Sequence, residues 1–435
     1  MNLRQLKQLL IQAGVQKLYV KPLAENDNSK NQVYFGPGFQ ALNLFPNDGI
    51  VPDSSLKNPI FKAKLRFGWL LPNGNVADAP SAKLILYPQY PEVRFSGFLK
   101  GCLAPPSNLM QGRILGRILF IGVTKDGRII GFVVGNDSEV AAEYFSLGLS
   151  VSKGVFVELS LPKIPDESNS REKLMAELHR INRLGWIDSK QLDSHGNISP
   201  CRASQCGGFT LEAELGIPKN SNSEPDFLGW EVKQHKVSNF AHPFSGGAIT
   251  LMTPEPTGGF YVENGVEAFV RRFGYPDRLG RQDRFNFGGI HSVGKSQSLT
   301  GLEMILKGYN TKKDVITDTD GAIMLVNKVG EVAASWSFSG LLAHWSRKHT
   351  RAVYVPCIPR EKPYWQYSYG SLVRLGLQTD SLMLLKALAT GIVYYDPGIK
   401  LEQASSHPKT KRRSQFRIAS KNINVLYKTV EVAEV

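Results

Sequence analysis

The 435-residue sequence lacks any apolar run of 18 or more residues, the length from which a membrane-spanning helix is expected. Its first 20 residues, MNLRQLKQLLIQAGVQKLYV, have neither the apolar core nor the small-residue cleavage site of a signal peptide. They are instead typical of an amphipathic helix followed by a strand. We therefore expect a protein of the bacterial or archaeal cytoplasm with no membrane partner.

Cysteine is scarce, with four residues at scattered positions: Cys102, Cys201, Cys206 and Cys357. So few cysteines exclude a disulfide-stabilised secreted scaffold. The Cys201-x4-Cys206 pair would hold a metal only with partners that the sequence does not display. We predict free thiols in a reducing compartment.

Acidic residues are outnumbered, with 38 Asp and Glu against 52 Lys and Arg, which gives a net charge of +14. An excess of this size favours a polyanionic partner, although a merely basic protein remains an alternative. The basic residues of the last 40 positions alternate with Phe416, Ile418 and Leu426. This pattern predicts a packed segment whose polar face meets phosphate.

The chain length favours two or three domains. Residues 1–160 are predicted to form a β-rich domain, with mostly loops from 21 to 56 and hairpin turns at 72–75 and 124–127. Residues 161–169 are rich in Pro, Asp, Glu, Ser and Asn and are predicted to be a linker. A capping box at Asn169 and Glu172 indicates a helix to Leu184 with a buried stripe of Leu174, Leu178 and Ile181, and residues 170–435 follow as a second domain.

Further elements are predicted in this second domain. Gly207 and Gly208 would form a turn before a short helix that carries Glu212, and polar turn residues follow from Pro218. A strand at Ala248–Met252 would belong to the same sheet as the strand with Glu231, and Ser381–Ala389 is predicted to be helical.

The stretch from Gly207 to Lys236 carries the strongest chemical signal. Glu231 and Lys233 are two residues apart in a predicted strand and therefore share a face, whereas Val232 points into a core. Gly229 permits a bend that brings Asp226 beside Glu231. Two adjacent carboxylates repel each other unless a cation lies between them, and oxygen ligands suit Mg²⁺. The alternative is a solvated strand face, which is the commoner origin of such a pattern.

The flanking residues match a known pattern. The segment resembles the PD-(D/E)xK nucleases, and more closely the MvaI/BcnI restriction endonucleases and their mismatch-repair relative MutH. The matching residues are Gly208, Thr210-Leu211-Glu212, Leu215-Gly216-Ile217, Pro225-Asp226, Gly229, Glu231 and Lys233. Later segments match in the same order: Leu342-x-His344-Trp345-x-x-Lys348, Gly391-x-Val393-x-x-Asp396-Pro397 and Arg413-Ser414-x-Phe416-Arg417. The resemblance covers about residues 170–430 and leaves the first 160 unmatched.

The resemblance implies a mixed α+β (α/β) domain with a mixed sheet flanked by helices, behind the β-rich N-terminal domain. It implies a Mg²⁺-dependent, site-specific DNA endonuclease of type II that leaves 5′-phosphate and 3′-hydroxyl ends. Mn²⁺ would substitute, and Ca²⁺ would bind without activity. Asp226, Glu231 and the carbonyl of Val232 would hold the metal, Lys233 would orient water, and Glu212 would assist. A monomer and a cognate DNA methyltransferase as genetic partner are also implied.

Contacts with double-stranded DNA are predicted from basic residues in three regions. The region 271–300 combines arginines with five glycines and two phenylalanines, Phe285 and Phe287, a composition that lets backbone approach phosphate. In the first domain, aromatic and basic residues interleave from Tyr87 to Lys100; the alternative there is a proline-turned strand with core aromatics. The layout is similar to EcoRII-type enzymes, which favours a DNA-binding effector domain. The predicted DNA contacts are Arg278, Arg281, Arg284, Lys295, Lys411, Arg412, Arg413, Arg417, Arg94 and Lys100.

Two other readings of the whole chain stay open at this point. One is a DNA-binding protein with a vestigial nuclease centre, and the other is a DNA-repair nicking enzyme of the MutH type. His291 and His344 are assigned no chemical role, because a lone histidine is more often a structural hydrogen-bonding group.

Overall fold

A computed structural model describes residues 1–25, 27, 31–56, 58–161, 167–202, 205–218 and 225–435. The chain divides into two compact units, Met1–Asn169 and Ser170–Val435. Most of the predicted linker lies outside the described residues, as do most of the polar turn predicted after Pro218 and the side chain of Asn169 in the predicted capping box. Helix α4 begins at Glu167, two residues before that predicted cap.

The first unit is rich in strands. Its helices are α1 (Leu3–Gln12), α2 (Ser107–Gln111) and α3 (Glu139–Ser146), with a 3₁₀ turn at Gln40–Asn43. Its strands are β1 (Val15–Pro22), β2 (Gln32–Pro37), β3 (Ile50–Asp53), β4 (Ile60–Lys64), β5 (Phe67–Leu70), β6 (Val76–Asp78), β7 (Lys83–Tyr87), β8 (Glu92–Ser96), β9 (Ile118–Thr124), β10 (Ile129–Val134) and β11 (Val157–Leu159).

Two sheets organise this unit, in the orders β11-β1-β9-β10-β5-β6 and β2-β8-β7-β4-β3. Helix α1 begins at a capping box in which Asn2 and Gln5 exchange hydrogen bonds, and it buries Leu3, Leu6 and Leu10. These leucines pack with residues of β1, β9, β10 and α3 in one apolar cluster. The predicted helix–strand start and both hairpins are confirmed.

Two predictions for this unit were wrong. The stretch from 21 to 56 is not mostly loop, because β2 and β3 pair with β8 and β4. The alternating run from Phe61 to Leu71 is not one strand but β4 and β5. The strand is interrupted at Leu65 and Arg66 because β4 and β5 belong to different sheets. Alternation of side chains alone does not reveal this long-range pairing.

The second unit mixes helices and strands. Its helices are α4 (Glu167–Arg183), α5 (Cys206–Glu214), α6 (Phe260–Phe273), α7 (Phe338–Lys348) and α8 (Ser381–Ala389), with a 3₁₀ segment at Ser420–Leu426. Its strands are β12 (Ile187–Asp188), β13 (Lys190–Leu192), β14 (Ile198–Pro200), β15 (Glu231–Lys236), β16 (Ala248–Met252), β17 (Tyr275–Pro276), β18 (Arg284–Gly288), β19 (Glu303–Lys307), β20 (Tyr309–Asn310), β21 (Val315–Ile316), β22 (Ala322–Val326), β23 (Val332–Ser337), β24 (Arg351–Arg360), β25 (Gln366–Tyr369), β26 (Leu372–Leu377), β27 (Val393–Tyr395), β28 (Gly398–Glu402), β29 (Lys409–Lys411), β30 (Phe416–Ala419) and β31 (Thr429–Glu434).

A mixed sheet forms the centre of this unit. Its strands β12, β25, β24, β26 and β31 pair antiparallel, whereas β15 pairs parallel with β24, with Glu231 opposite Ala352. Leu174, Leu178 and Ile181 of α4 pack with Val232 in the core cluster beneath the sheet. The predicted mixed α+β class is confirmed, as are the buried stripe of α4 and the inward orientation of Val232.

The structure corrects three predictions for the second unit. Strand β16 does not extend the sheet of β15; it pairs with β30 in a separate sheet of order β16-β30-β27. Gly207 and Gly208 lie inside α5 rather than before it. The missing side chain of Gly207 lets the helix approach the sheet, since a Cβ there would lie 3.1 Å from the Tyr367 ring; a Cβ on Gly208 would make only an ordinary contact, at 3.8 Å from Gln234 Cγ.

The third correction concerns cysteine. Cys102 and Cys357 are free thiols as predicted, but Cys201 and Cys206 form a disulfide. Strand β14 ends just before Cys201, and α5 begins at Cys206. The Cα atoms of the two cysteines are 5.7 Å apart, within the range of a disulfide. Sequence spacing alone does not report this approach. Across the described parts of the chain, no helix is both long and apolar enough to cross a membrane.

We predict that residues 168–435 fold without the first unit. The reason is that each unit has its own apolar cluster, one built on α1, β1 and β9 and the other on α4, β15 and β24. Circular dichroism of this fragment during heating should show one cooperative transition, and a fragment of residues 1–165 is the counterpart control. A fragment that shows no cooperative transition would contradict the assignment of independent cores.

Candidate active site

The strand β15 and the turn before it position the acidic residues. Phe227 and Trp230 exchange backbone hydrogen bonds of 2.9 and 2.8 Å across a tight turn. Leu228 and Gly229, at its centre, have φ angles of 47° and 83°, the left-handed region that such turns require. A Cβ on Gly229 would lie 2.6 Å from an Arg351 guanidinium nitrogen, so a side chain here would have to displace the flexible end of that arginine.

The turn returns Asp226 to the start of β15. The Asp226 carboxylate accepts a hydrogen bond of 2.9 Å from the Val232 backbone N–H. Burial and the neighbouring Glu231 carboxylate raise the pKa of Asp226. The bend predicted at Gly229 is therefore present, and it brings Asp226 into the electrostatic field of Glu231.

Glu231 is completely buried. Lys233 Nζ lies 2.5 Å from its Oε1, which places both side chains on one face of β15. Neither carboxylate oxygen has a well-aligned hydrogen bond within the described structure. Burial alone would raise the pKa of Glu231, but Lys233 and then other cationic groups, including Lys348, outweigh it and the pKa falls below its usual value.

Lys233 stays charged in this environment. Burial alone would lower its pKa, but Glu231 and Asp226 raise it above the ordinary value of lysine. Its ammonium group is therefore a fixed cation and hydrogen-bond donor at neutral pH. A free amine acting as general base is disfavoured by this electrostatic balance.

Glu212 joins the site from helix α5 and lines the same cleft as Lys233. Burial, followed by the charge of Asp226, raises the pKa of Glu212 to about 7. The structure thus brings together Asp226, Glu231, Lys233 and Glu212, all four of the side chains predicted to act in catalysis. Among the described residues, however, no group of three or more His, Cys, Asp or Glu side chains is placed to hold a metal by itself.

Helix α7 supplies groups that sequence reasoning did not assign. Lys348 acts electrostatically on Glu212, Asp226 and Glu231, and His344 interacts with Glu231 and Lys233. The signal was the spacing of His344 and Lys348, four residues apart and thus on one face of a helix. His349, at the helix end, is fully buried, donates from Nε2 to the Leu251 carbonyl at 3.0 Å, and has its pKa lowered to about 3 by burial.

A cleft of about 730 Å³ opens at this site. Arg412, Arg413 and Arg417, from the region of β29 and β30, also line it, and we call these arginines the basic wall. Arg417 pairs with Asp396 at 2.6 Å and also donates to the Ala248 carbonyl at 3.1 Å, so much of its guanidinium is already engaged. Arg412 and Arg413 are exposed. The lining thus combines the acid Glu212 with the cations Lys233, Arg412 and Arg413, whereas Asp226 and Glu231 are not among the residues that line the cleft.

The remaining predicted DNA contacts are spread over the surface. Arg278, Arg281, Lys295 and Lys100 are exposed. Arg284 is not free: only 9% of its side chain is exposed, and it pairs with Asp277 at 3.3 Å and Glu402 at 3.4 Å. This arrangement disfavours its predicted contact with phosphate.

Lys411 pairs with Glu402, and Arg94 pairs with Glu92 over the ring of Tyr87. Both have part of their side chain in solvent.

Several aromatic and polar residues near these contacts are structural. Phe287 is buried and stacks on His291, so it belongs to the core and not to a DNA-facing loop. His291 is buried, with contacts of 2.9 Å to both the Gly289 carbonyl and Thr300 Oγ1. In the first unit, Phe95 is buried in the same way. The region 271–300 is thus partly strand and bridge rather than an open loop.

We predict a pH-dependent stability effect at Glu212. Its pKa of about 7 in the folded protein exceeds its ordinary value of 4.5, so between these values the folded state holds a proton that the unfolded state lacks. Rising pH then destabilises the fold through this window. The Glu212→Gln variant lacks this titration. In EDTA, its free energy of unfolding relative to that of wild type should therefore rise by about 1–3 kcal/mol when the pH is raised from 5 to 8.

Urea unfolding at the two pH values measures this gain. Glu263→Gln, which changes an exposed carboxylate on α6, is the control. A Glu212→Gln effect that is the same at pH 5 and pH 8 would contradict the assigned pKa.

Comparison with known proteins adds an independent line of information. The model of the MvaI/BcnI restriction endonuclease family matches residues 175–427. The solved complex of the restriction endonuclease MvaI with its cognate DNA substrate is 18% identical, with 60% of this chain and 97% of that chain covered and a TM-score of 0.45. MvaI in the absence of DNA is 16% identical, with 62% and 99% covered and a TM-score of 0.34.

No curated protein matches the chain. The family match alone spans more than half of the 435 residues and includes every residue of the acidic cluster on α5 and β15. The chain belongs to the MvaI/BcnI restriction endonuclease family.

Proposed function

We propose that this chain is a Mg²⁺-dependent, site-specific endonuclease of double-stranded DNA, of the type II restriction class. The observation that carries the proposal is the buried Glu231 carboxylate, which has Lys233 as its near cation and Asp226 as an acidic neighbour. Lys233 compensates the charge of Glu231, but the raised pKa values of Asp226 and Glu212 indicate that the acids beside it lack such compensation. A cation between Asp226 and Glu231 would restore the balance.

The residues present fit Mg²⁺. This ion binds through one or two carboxylates and keeps several waters, so the lack of a third carboxylate or histidine ligand does not exclude it. Asp226, Glu231 and the Val232 carbonyl would hold it, and when bound it would supply a more acidic water and polarise a phosphoryl oxygen. Mn²⁺ should substitute, and Ca²⁺ should bind without supporting cleavage.

Lys233 serves the chemistry as a permanent cation. Its raised pKa keeps the ammonium protonated, so it can donate a hydrogen bond to the attacking water and stabilise negative charge at the scissile phosphate. Glu212, with a pKa of about 7, is suited to exchange a proton with water in the cleft. Hydrolysis by this arrangement would leave 5′-phosphate and 3′-hydroxyl ends.

The basic wall of the cleft supports DNA as the substrate. Arg412 and Arg413 line the same cleft as Glu212 and Lys233, where they can neutralise phosphates that flank the reacting one. DNA binding is part of the proposal because the chain belongs to a family of restriction endonucleases. The protein would act as a monomer alongside a cognate DNA methyltransferase, and the first unit would add DNA contacts through Arg94 and Lys100.

The metal site predicts a sharp split between cleavage and binding. Asp226→Asn should lower the rate of Mg²⁺-dependent plasmid cleavage by about 10²–10³-fold or more, as should Lys233→Met, because each removes an interaction with developing charge. Binding of the same DNA in Ca²⁺ should stay within about twofold for Lys233→Met if other cations supply most of the phosphate contacts. Gel electrophoresis and fluorescence anisotropy measure the two quantities.

Glu255→Gln is the matched control for Asp226→Asn. Glu255 accepts a hydrogen bond from Tyr261 and is outside the acidic cluster, so its variant should retain wild-type cleavage. Wild-type rates in Asp226→Asn, or an equal loss in Glu255→Gln, would contradict the assignment of the site.

The basic wall makes a separate prediction about salt. Arg412→Gln and Arg413→Gln should each lower the slope of log binding constant against log salt concentration by roughly 0.9, the effect of losing one phosphate contact. Arg272→Gln is the control, since Arg272 on α6 pairs with Glu331. Anisotropy titrations between 50 and 200 mM salt measure the slope. Unchanged slopes in both wall variants would show that this wall does not contact DNA.

A further inference from the structure

The turn between β17 and β18 presents an apolar side chain between two arginines. We call residues 277–281 the Leu279 tip. Leu279 is 83% exposed, and its neighbours Arg278 and Arg281 are exposed as well. One Asp277 oxygen accepts hydrogen bonds from the backbone N–H groups of Leu279 at 2.9 Å and Arg281 at 3.3 Å.

The other Asp277 oxygen accepts from the Asn286 side chain at 2.9 Å and pairs with Arg284. The tip is therefore a fixed projection and not a loose loop.

The tip is connected to the cleft by one small sheet. Strand β18 pairs with β28 from Arg284 opposite Glu402, next to the tip, to Gly288 opposite Gly398. At the far end, the Gly398 N–H donates to the carbonyl of Arg413, which lines the cleft. Four residue steps of about 3.3 Å separate Arg284 from Gly288 by about 13 Å. The Leu279 tip lies beyond Arg284, so it is at least about four base pairs of duplex from the cleft.

Cations outnumber acids along this sheet, where Glu402 and Asp277 are each paired with a basic side chain. Lys400 of β28 lies between the tip and the cleft, and its pKa is lowered by burial and then by Arg284, with Arg281 and Arg413 adding to the effect against Glu402. Arg281 of the tip and Arg413 of the cleft thus act on the same lysine. A phosphate backbone leaving the cleft along this face would remain in a positive field up to the tip.

A second hairpin in the same unit provides a comparison. In the turn between β22 and β23, Asn327 accepts from the N–H groups of Val329 and Glu331 at 3.1 and 2.9 Å, and Val329 is 86% exposed. An exposed apolar residue is therefore a normal product of this turn geometry. What distinguishes the Leu279 tip is its pair of arginines, where the second hairpin has Lys328 and Glu331, the latter paired with Arg272.

We propose that the Leu279 tip inserts into the minor groove of DNA outside the cleft, at least about four base pairs from it. Arg278 and Arg281 would contact the phosphates on either side, and Leu279 would contact the sugar and base edges as an apolar wedge. Apolar wedges flanked by cations deform the duplex at the base step where they insert. The tip would therefore make binding sensitive to the DNA sequence outside the base pairs that contact the cleft. The inference rests on the proposed DNA-binding function.

The test compares Leu279→Ala with the matched control Val329→Ala in the full chain. Binding to a 24-base-pair A·T-rich duplex is measured by anisotropy in EDTA. Leu279→Ala should weaken binding about five- to tenfold without changing the salt slope, because it removes apolar contact and no charge. Arg278→Gln should instead lower the slope by roughly 0.9. Val329→Ala should bind as wild type.

A second arm identifies the groove. When netropsin fills the minor groove of the same duplex, the difference between wild type and Leu279→Ala should disappear. A difference that persists under netropsin, a Leu279→Ala affinity within twofold of wild type, or an equal loss in Val329→Ala would each overturn the proposal. If wild type does not bind the duplex at all, the proposed endonuclease function fails together with it, whereas binding and cleavage that ignore Leu279 overturn only the wedge.

Discussion

A buried carboxylate, that of Glu231, is the constraint on which the site depends. It lies at the first residue of β15, opposite Ala352 of the parallel strand β24, with Val232 committed to the core on the other face. An ionised group in such a position requires compensating charge. Lys233 supplies part of it, at 2.5 Å. The alternation of the strand thus makes one acid and one base neighbours, and the turn at Leu228 and Gly229 adds Asp226.

The environment around Glu231 shifts the pKa values of the acids of the site in opposite directions. Cations hold the pKa of Glu231 below its usual value, whereas burial and acidic neighbours raise those of Asp226 and Glu212. The site therefore has a surplus of negative charge that a proton or a divalent cation can neutralise. Lys233, whose raised pKa keeps it protonated, borders these acids, and the exposed Arg412 and Arg413 line the same cleft as Lys233. These cations suit a substrate that is itself an anion.

Local sequence patterns predicted much of this unit. Helix α8 and strand β16 have the predicted bounds, and the shared face of Glu231 and Lys233 follows directly from strand periodicity. What periodicity could not supply was long-range pairing. Strand β16 joined β30 rather than β15, Phe287 became core, and Cys201 met Cys206 in a disulfide. The first two depend on contacts between residues that are far apart in the sequence. The disulfide depends on a local backbone path that composition does not encode.

The candidate site shows the same division. Asp226, Glu231 and Lys233 were found from spacing and Glu212 from the family resemblance, but the part of Lys348 and His344 was missed because α7 lies more than 100 residues after β15 in the chain. Arg284 was predicted to contact phosphate because of its neighbours in sequence. In the structure, it is engaged by Asp277 and by Glu402, the latter more than 100 residues away. Charge counting identifies a basic region, whereas only pairing identifies which of its cations are free.

The most direct test of the account is to locate a divalent cation in the site. Crystals grown with Mn²⁺ would give an anomalous difference map that shows the ion independently of catalysis. The account predicts a peak with oxygen ligands at about 2.0–2.6 Å from the Asp226 and Glu231 carboxylates and the Val232 carbonyl, absent in Glu231→Gln. A protein that binds DNA with no peak there, and with Glu231 still contacting Lys233 alone, would contradict it.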